Sequence, residues 1–202
     1  MRQTPNALHT RLNSSKESLA KKASTRKHAG RQDTGIGHVG LRATNPAASA
    51  EFYRDIFGME ITGGSQPDHP LGATAFLSSR PVQEAHKIVL FANPVYTHIA
   101  FKVSSLAELR SFHARVVEKK IPIKFVFNHH ESFAFYFDDP DGNMIEVYWP
   151  TGDLSQRQPY AEPLDLSQPD ETLLEKKVVP DSSTAAMKRG GAIAQSKGFA
   201  RR

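Results

Sequence analysis

The sequence predicts a mixed α+β domain in which two βαβββ units form a cupped mixed sheet around one metal site. Three observations carry this. A strand, a helix and three strands run from Gly35 to Phe91, and the same order returns from Thr97 to Trp149. His38 and His98 occupy matching places in the first strand of each unit, sixty residues apart. His86 follows His38 by 48 positions, and Glu146 follows His98 by the same 48.

The first strand is GIGHVGLRAT, Gly35 to Thr44, with Val39 and Leu41 on one face and His38, Gly40 and Arg42 on the other. Asn45-Pro46 opens a helix, Asn as N-cap and Pro at the first helical position. Phe52, Tyr53, Ile56 and Phe57 recur at helical spacing as one apolar stripe, expected to cover the sheet, and Gly58 ends the helix. Glu60–Thr62, Thr74–Ser78 and His86–Phe91 read as three short strands.

The second unit starts with THIAFKV, where Ile99, Phe101 and Val103 alternate with His98, Ala100 and Lys102. Ser105 with Glu108 makes a capping box before a helix whose stripe is Leu106, Leu109, Phe112, Val116 and Val117. Lys124–Phe127, Phe133–Asp138 and Met144–Trp149 close the unit, the last two joined by the turn Asp139-Pro140-Asp141-Gly142-Asn143. In the final strand Glu146 falls within an apolar run, where a half-buried carboxylate needs a partner or a cation.

Composition divides the chain into residues 1–33, a basic tail expected to be disordered, a domain over 34–150 (units about 34–93 and 94–150), a C-terminal extension over 151–177 and a disordered tail over 178–202. Residues 1–33 hold eight Lys and Arg against two acids, so the net charge of +5 reflects that tail and not the domain. Cysteine is absent, which excludes a disulfide framework and thiolate chemistry. No apolar run is long enough to span a bilayer and Met1–Leu19 lacks the apolar core of a secretory signal, so a cytoplasmic protein is expected, with a mitochondrial destination as the alternative that the Arg/Lys/Ser-rich tail suggests. No nucleic-acid or membrane partner is expected, and a homodimer is compatible with the open sheet and the Trp149 edge. The extension carries one short helix starting near Pro169, with Leu173 and Leu174 as its docking edge.

His38, His98 and Glu146 form a two-histidine, one-carboxylate set. Such a set binds Fe(II) or Mn(II) on one face and leaves positions open for catalysis. On the duplicated strands all three residues face the same side as the small Gly40 and Ala100, which leaves that side to line a cavity.

GHVGL, YTHIAFKV, NHHESFAFYFDDPDGN and MIEVYW resemble the vicinal oxygen chelate superfamily, which includes extradiol dioxygenases, glyoxalase I and fosfomycin-modifying thiol transferases. Within it the chain is similar to small catechol 2,3-dioxygenase-like proteins, including the extension Gln158 to Leu174, and the likeness covers Gly35 to Leu174. The resemblance implies Fe2+ (alternatively Mn2+) held by His38, His98 and Glu146, and cleavage of a catechol-like aromatic diol by O2. It further implies His86 as acid/base, Tyr136 as a contact to a substrate oxygen and His129 as a substrate-binding residue. The other roles open to them are a fourth ligand or packed wall residue for His86, a wall residue for Tyr136 and a loop or rim residue for His129 and His130. His113 is expected at the surface and His69 in a loop. The competing functions are a metal-dependent thiol transferase or lyase of the same superfamily, and a non-catalytic binding protein of the bleomycin-resistance type. Glyoxalase I uses a carboxylate where this chain has His86, and binding proteins usually lack a complete metal set.

Overall fold

β1 (Gly35–Arg42) and β5 (His98–Lys102) lie antiparallel at the centre of one nine-stranded sheet, with His38 opposite Ala100 and Gly40 opposite His98. The computed structural model describes residues 34–155 and 159–177; the expectations for the two tails fall on residues outside that set. From β1 the chain runs through helix α1 (Pro46–Phe57) to β2 (Glu60–Ser65), β3 (Thr74–Ser78) and β4 (Ile88–Phe91), which returns to pair parallel with β1. From β5 it runs through α2 (Leu106–Glu118) to β6 (Ile123–Asn128), β7 (Ser132–Asp138) and β8 (Met144–Pro150), which returns parallel to β5. A parallel return needs a crossover, and the helix with its two following strands supplies it. The resulting order is β2-β3-β4-β1-β5-β8-β7-β6-β9, symmetric about the β1–β5 seam except for β9 (Glu162–Pro163) on the β6 edge. The duplicated α+β architecture is therefore the observed one.

The helix starts follow the sequence signals. Asn45 Oδ1 accepts from the Ala48 N–H at 3.1 Å, and Gly58 closes α1 in the left-handed region at φ 65°. Ser105 Oγ accepts from the Glu108 N–H at 3.1 Å, while the Glu108 carboxylate reaches back to the Ser104 N–H at 2.8 Å, one residue earlier than a capping box requires. The turn before β8 forms as its residues direct: Asp139 Oδ1 accepts from the Asp141 and Asn143 N–H groups, and Gly142 adopts φ 84°.

The two units are packed unequally. In the second, Leu106, Leu109 and Val116 of α2 meet Phe133, Phe135 and Val147 of the sheet. Leu164, Leu166 and Leu173 from the C-terminal extension complete that core, and each such apolar side chain buried contributes roughly 1.5–3 kcal/mol. Leu173, in α3 (Asp170–Glu175), is fully buried; Leu174 is exposed, so only half of the expected docking edge docks. The first unit has a smaller core of Ala43, Ala50, Met59, Ala75, Leu77 and Leu90.

Here the expected stripe on α1 does not cover the sheet. Phe52, Ile56 and Phe57 are 56–63% exposed, and Ala50 and half-buried Tyr53 make the contact instead. The reason lies in rotation about the helix axis: Pro46, Ala50 and Tyr53 share the inward side, and the bulkier aromatics cluster outside it, Tyr53 stacking on Phe57 at 5.8 Å. Val117 likewise points outward from α2. Trp149 is half-buried, set edge-on to Phe133 and capped by the Lys177 ammonium 4.7 Å from its ring centre. His113, expected at the surface, is half-buried there, its ring 5.1 Å from that of Phe135, and burial lowers its pKa.

A candidate metal centre on the central strands

Ala100 is the small residue around which the centre is built. It lies opposite His38 on β1 and opposite Glu146 on β8, with His98 two residues before it on its own strand. Side chains two apart on a strand share a face, and so do direct partners on neighbouring strands. All three functional side chains therefore rise on Ala100's face, and its methyl leaves the space they converge on. Gly40 makes room in the same way: a Cβ there would stand 2.7 Å from Nδ1 of His98.

The convergence is tight. Nε2 of His38 is 3.0 Å from Nε2 of His98 and 3.0 Å from Oε2 of Glu146, and His98 Nε2 is 3.1 Å from the same oxygen. Among the described residues these three are the group of His, Asp and Glu side chains placed to hold a metal ion. The triangle is nearly equilateral. Separations of this size would let all three donor atoms bind one cation together. His98 Nδ1 donates to the Tyr96 carbonyl at 2.7 Å, so neutral His98 keeps its lone pair on Nε2, toward the other two donors.

The charges suit a cation as well. Glu146 is 2% exposed; burial alone would raise its pKa, but the His38 and His98 rings hold it well below the usual carboxylate range. For His98 burial works against the charged ring, yet Glu146 and the Tyr96 carbonyl carry its pKa upward. A divalent ion bound there would offset the buried Glu146 charge.

The other candidate residues surround this triangle. His86 sits two residues before β4 rather than on it, which corrects the expected strand His86–Phe91. It still reaches the centre, its ring 4.4 Å from that of His38 and 5.3 Å from that of Phe76. Burial, with His38 next, pushes its pKa well below the usual histidine value. Tyr136 is opposite Glu146 across β7 and β8, its ring 6.0 Å from that of His98. His129 is half-buried, with both ring nitrogens engaged: Nδ1 donates to the Tyr160 carbonyl at 2.6 Å, so Nε2 accepts from the Tyr136 hydroxyl at 2.8 Å. Burial first, then the Glu146 charge, keeps the Tyr136 phenol protonated. The neighbouring His130 points elsewhere, its ring against that of Tyr160 at 4.2 Å and its backbone at φ 70°. His69 lies in the β2–β3 loop as expected.

Sequence reasoning passed over three further side chains. Tyr148, on the Glu146 face of β8, places its ring 5.1 Å from that of His38, and Phe91 lies 5.8 Å from His98. Alternation from Glu146 could have found Tyr148. The third is Glu131, in the turn between β6 and β7, whose carboxylate lies 4.0 Å from His86 Nδ1. Nothing in the local sequence marks it.

Two βαβββ units that bring two histidines and a glutamate to one cation site on their shared strands define a metal-dependent enzyme scaffold. Residues 35–147 match the Glyoxalase/Bleomycin resistance protein/Dioxygenase superfamily, and the chain belongs to that superfamily. Metallothiol transferase FosB of Shouchella clausii (strain KSM-K16) is 30% identical over 135 residues, 63% of this chain and 87% of that protein. Catechol-2,3-dioxygenase of Bacillus subtilis (strain 168) is 29% identical over 120 residues, 58% of this chain and 42% of that protein. A crystal structure of catechol 2,3-dioxygenase superposes with a TM-score of 0.51 at 22% identity, covering 65% of this chain and 46% of that one, a likeness of fold. The matched region thus spans less than half of either dioxygenase. Among the described residues no helix is long and apolar enough to cross a membrane.

Proposed function

We propose that the protein is an Fe(II)-dependent extradiol dioxygenase that cleaves a catechol-like aromatic diol with O2. The observation that carries this is His86, a neutral imidazole set against the ligand His38 without belonging to the triangle of donors. Diol cleavage needs a base for a hydroxyl proton, whereas a binding protein needs none. Bound Fe(II), or Mn(II) in its place, held by His38, His98 and Glu146 would supply the redox chemistry that incorporation of O2 requires.

The chain's own residues divide the remaining work. His86 takes a proton from the substrate hydroxyl and returns it as the ring opens. Tyr136 stays a protonated phenol and offers its O–H, now donated to His129, to a substrate oxygen. Phe125 and Phe127, stacked at 5.4 Å, stand with Tyr136 and Tyr148 on the Glu146 side of the sheet and give a planar ring an apolar wall.

One observation favours a second reading, metal-dependent thiol transfer: the FosB relative is matched over nearly its whole length. Oxygen uptake separates the two. Protein loaded with Fe(II) under argon is mixed with a panel of catechols, and O2 consumption with a yellow ring-opened product is expected. A metal-replete protein that consumes no O2 with any diol, yet consumes thiol in the presence of fosfomycin, is a thiol transferase.

A further inference from the structure

We propose that Glu131 is a positioning residue for His86: its carboxyl oxygen accepts the Nδ1–H of His86 and fixes the ring in the tautomer whose Nε2 carries the lone pair. The starting point is an unmatched atom. His86 Nδ1 is buried and has no hydrogen-bond partner, which is rare for a polar side-chain atom. Glu131 Oε1 lies 4.0 Å from it, the two side chains being only 12% and 17% exposed. A side-chain movement of about 1 Å brings that separation to hydrogen-bond length.

The two residues come from different units, His86 from the segment before β4 and Glu131 from the β6–β7 turn. That turn is held in place independently of His86. The Glu131 N–H donates to the His129 carbonyl at 3.0 Å, and its own carbonyl accepts from the Thr151 N–H at 2.8 Å. Burial, reinforced by Glu146 and Asp153, raises the Glu131 pKa to about 8, so near neutral pH the side chain is chiefly a neutral acid. Its carbonyl oxygen then accepts from His86 without placing a second full negative charge in the site. A neutral histidine that donates from Nδ1 necessarily keeps Nε2 unprotonated. Glu131 would thereby choose which nitrogen of His86 serves as the base. The consequence for turnover rests on the base role proposed for His86; the tautomer does not.

Full-length metal-free protein labelled with 15N-histidine reads the tautomer directly by long-range 1H–15N correlation at pH 7.5, the His86 signals being those lost in His86→Gln. Wild type and Glu131→Gln, which keeps a carbonyl oxygen, are expected to show Nδ1 protonated and Nε2 bare. Glu131→Leu should move His86 to the Nε2–H form, and on the iron-loaded enzyme lower kcat about tenfold with KM unchanged, the Gln variant restoring it. An Nε2–H tautomer at His86 in the wild type overturns the proposal outright, and so does an unchanged Nδ1–H in Glu131→Leu. Either answer is obtained whether or not any diol is turned over.

Discussion

Gly40 vacates the space that the His98 imidazole occupies. A methyl at position 40 would meet Nδ1 at 2.7 Å, Cε1 at 2.8 Å and Phe91 Cε2 at 3.0 Å. Gly40 is thus small because the neighbouring strand places a ligand ring over it, opposite it in the ladder. Gly40→Ala should tilt the His98 ring, weaken its bond to the Tyr96 carbonyl and lower metal affinity by at least tenfold, since orienting hydrogen bonds on metal ligands are typically worth 10–100-fold. The cost to the metal-free fold should be about 1–3 kcal/mol, the usual range for overpacking. Metal titration by calorimetry, beside thermal unfolding of the apo-protein, checks both figures. Undiminished affinity would mean that the ring does not need this space.

Ala100 invites a harsher version of the same experiment, because three side chains converge above its methyl. Ala100→Leu should fill the triangle and abolish metal binding. Glu146→Ala should abolish it as well, by removing the one negative donor of the set. Elemental analysis of protein purified without oxygen should find about one divalent ion per wild-type chain, as a single site requires, and none in either variant.

Much of this was legible in the chain because it depends on short-range rules. Alternation on a strand put His38 with Gly40 and His98 with Ala100 on common faces, and the sixty-residue repeat aligned the two pairs. What was not legible depends on the lengths of intervening loops. The equal 48-residue spacings suggested that His86 is the counterpart of Glu146, yet the ladders set Val39 against Ile88 in one unit and Ile99 against Ile145 in the other. Opposite Gly40 therefore stands Val89, while Glu146 stands opposite Ala100, and His86 reaches the site from the segment ahead of its strand. Helical spacing found an apolar stripe on α1 but not the rotation that turns Phe52, Ile56 and Phe57 outward. The state of His129 is fixed by a carbonyl 31 residues away, at Tyr160, beyond any local pattern.

Glu131 makes the metal-free fold sensitive to pH. Its folded pKa of about 8 lies above its ordinary 4.5, so the folded state binds the proton more tightly than the unfolded chain. The associated stability is complete below about pH 4.5 and is lost as pH rises through about 8, at most about 4–5 kcal/mol by linkage. Glu131→Gln cannot ionise and should escape the loss. Its melting temperature should match wild type at pH 5 and exceed it at pH 9 by roughly 10 °C for a chain of this size. Parallel melting curves across that range would count against a buried neutral acid.

His86→Phe separates holding the metal from using it. Phenylalanine keeps a flat ring for the contacts with Phe76 and His38, at 5.3 and 4.4 Å, and removes both nitrogens. The triangle of His38, His98 and Glu146 is complete without position 86, so metal content should stay near one ion per chain. Proton transfer by a placed side chain is worth about 10²–10⁴-fold, and kcat for diol cleavage should fall by that factor. Apparent affinity for the diol should change far less. Loss of the metal in this variant would instead make His86 a fourth ligand, and a chain whose turnover survives the substitution must take its proton acceptor from elsewhere in the site.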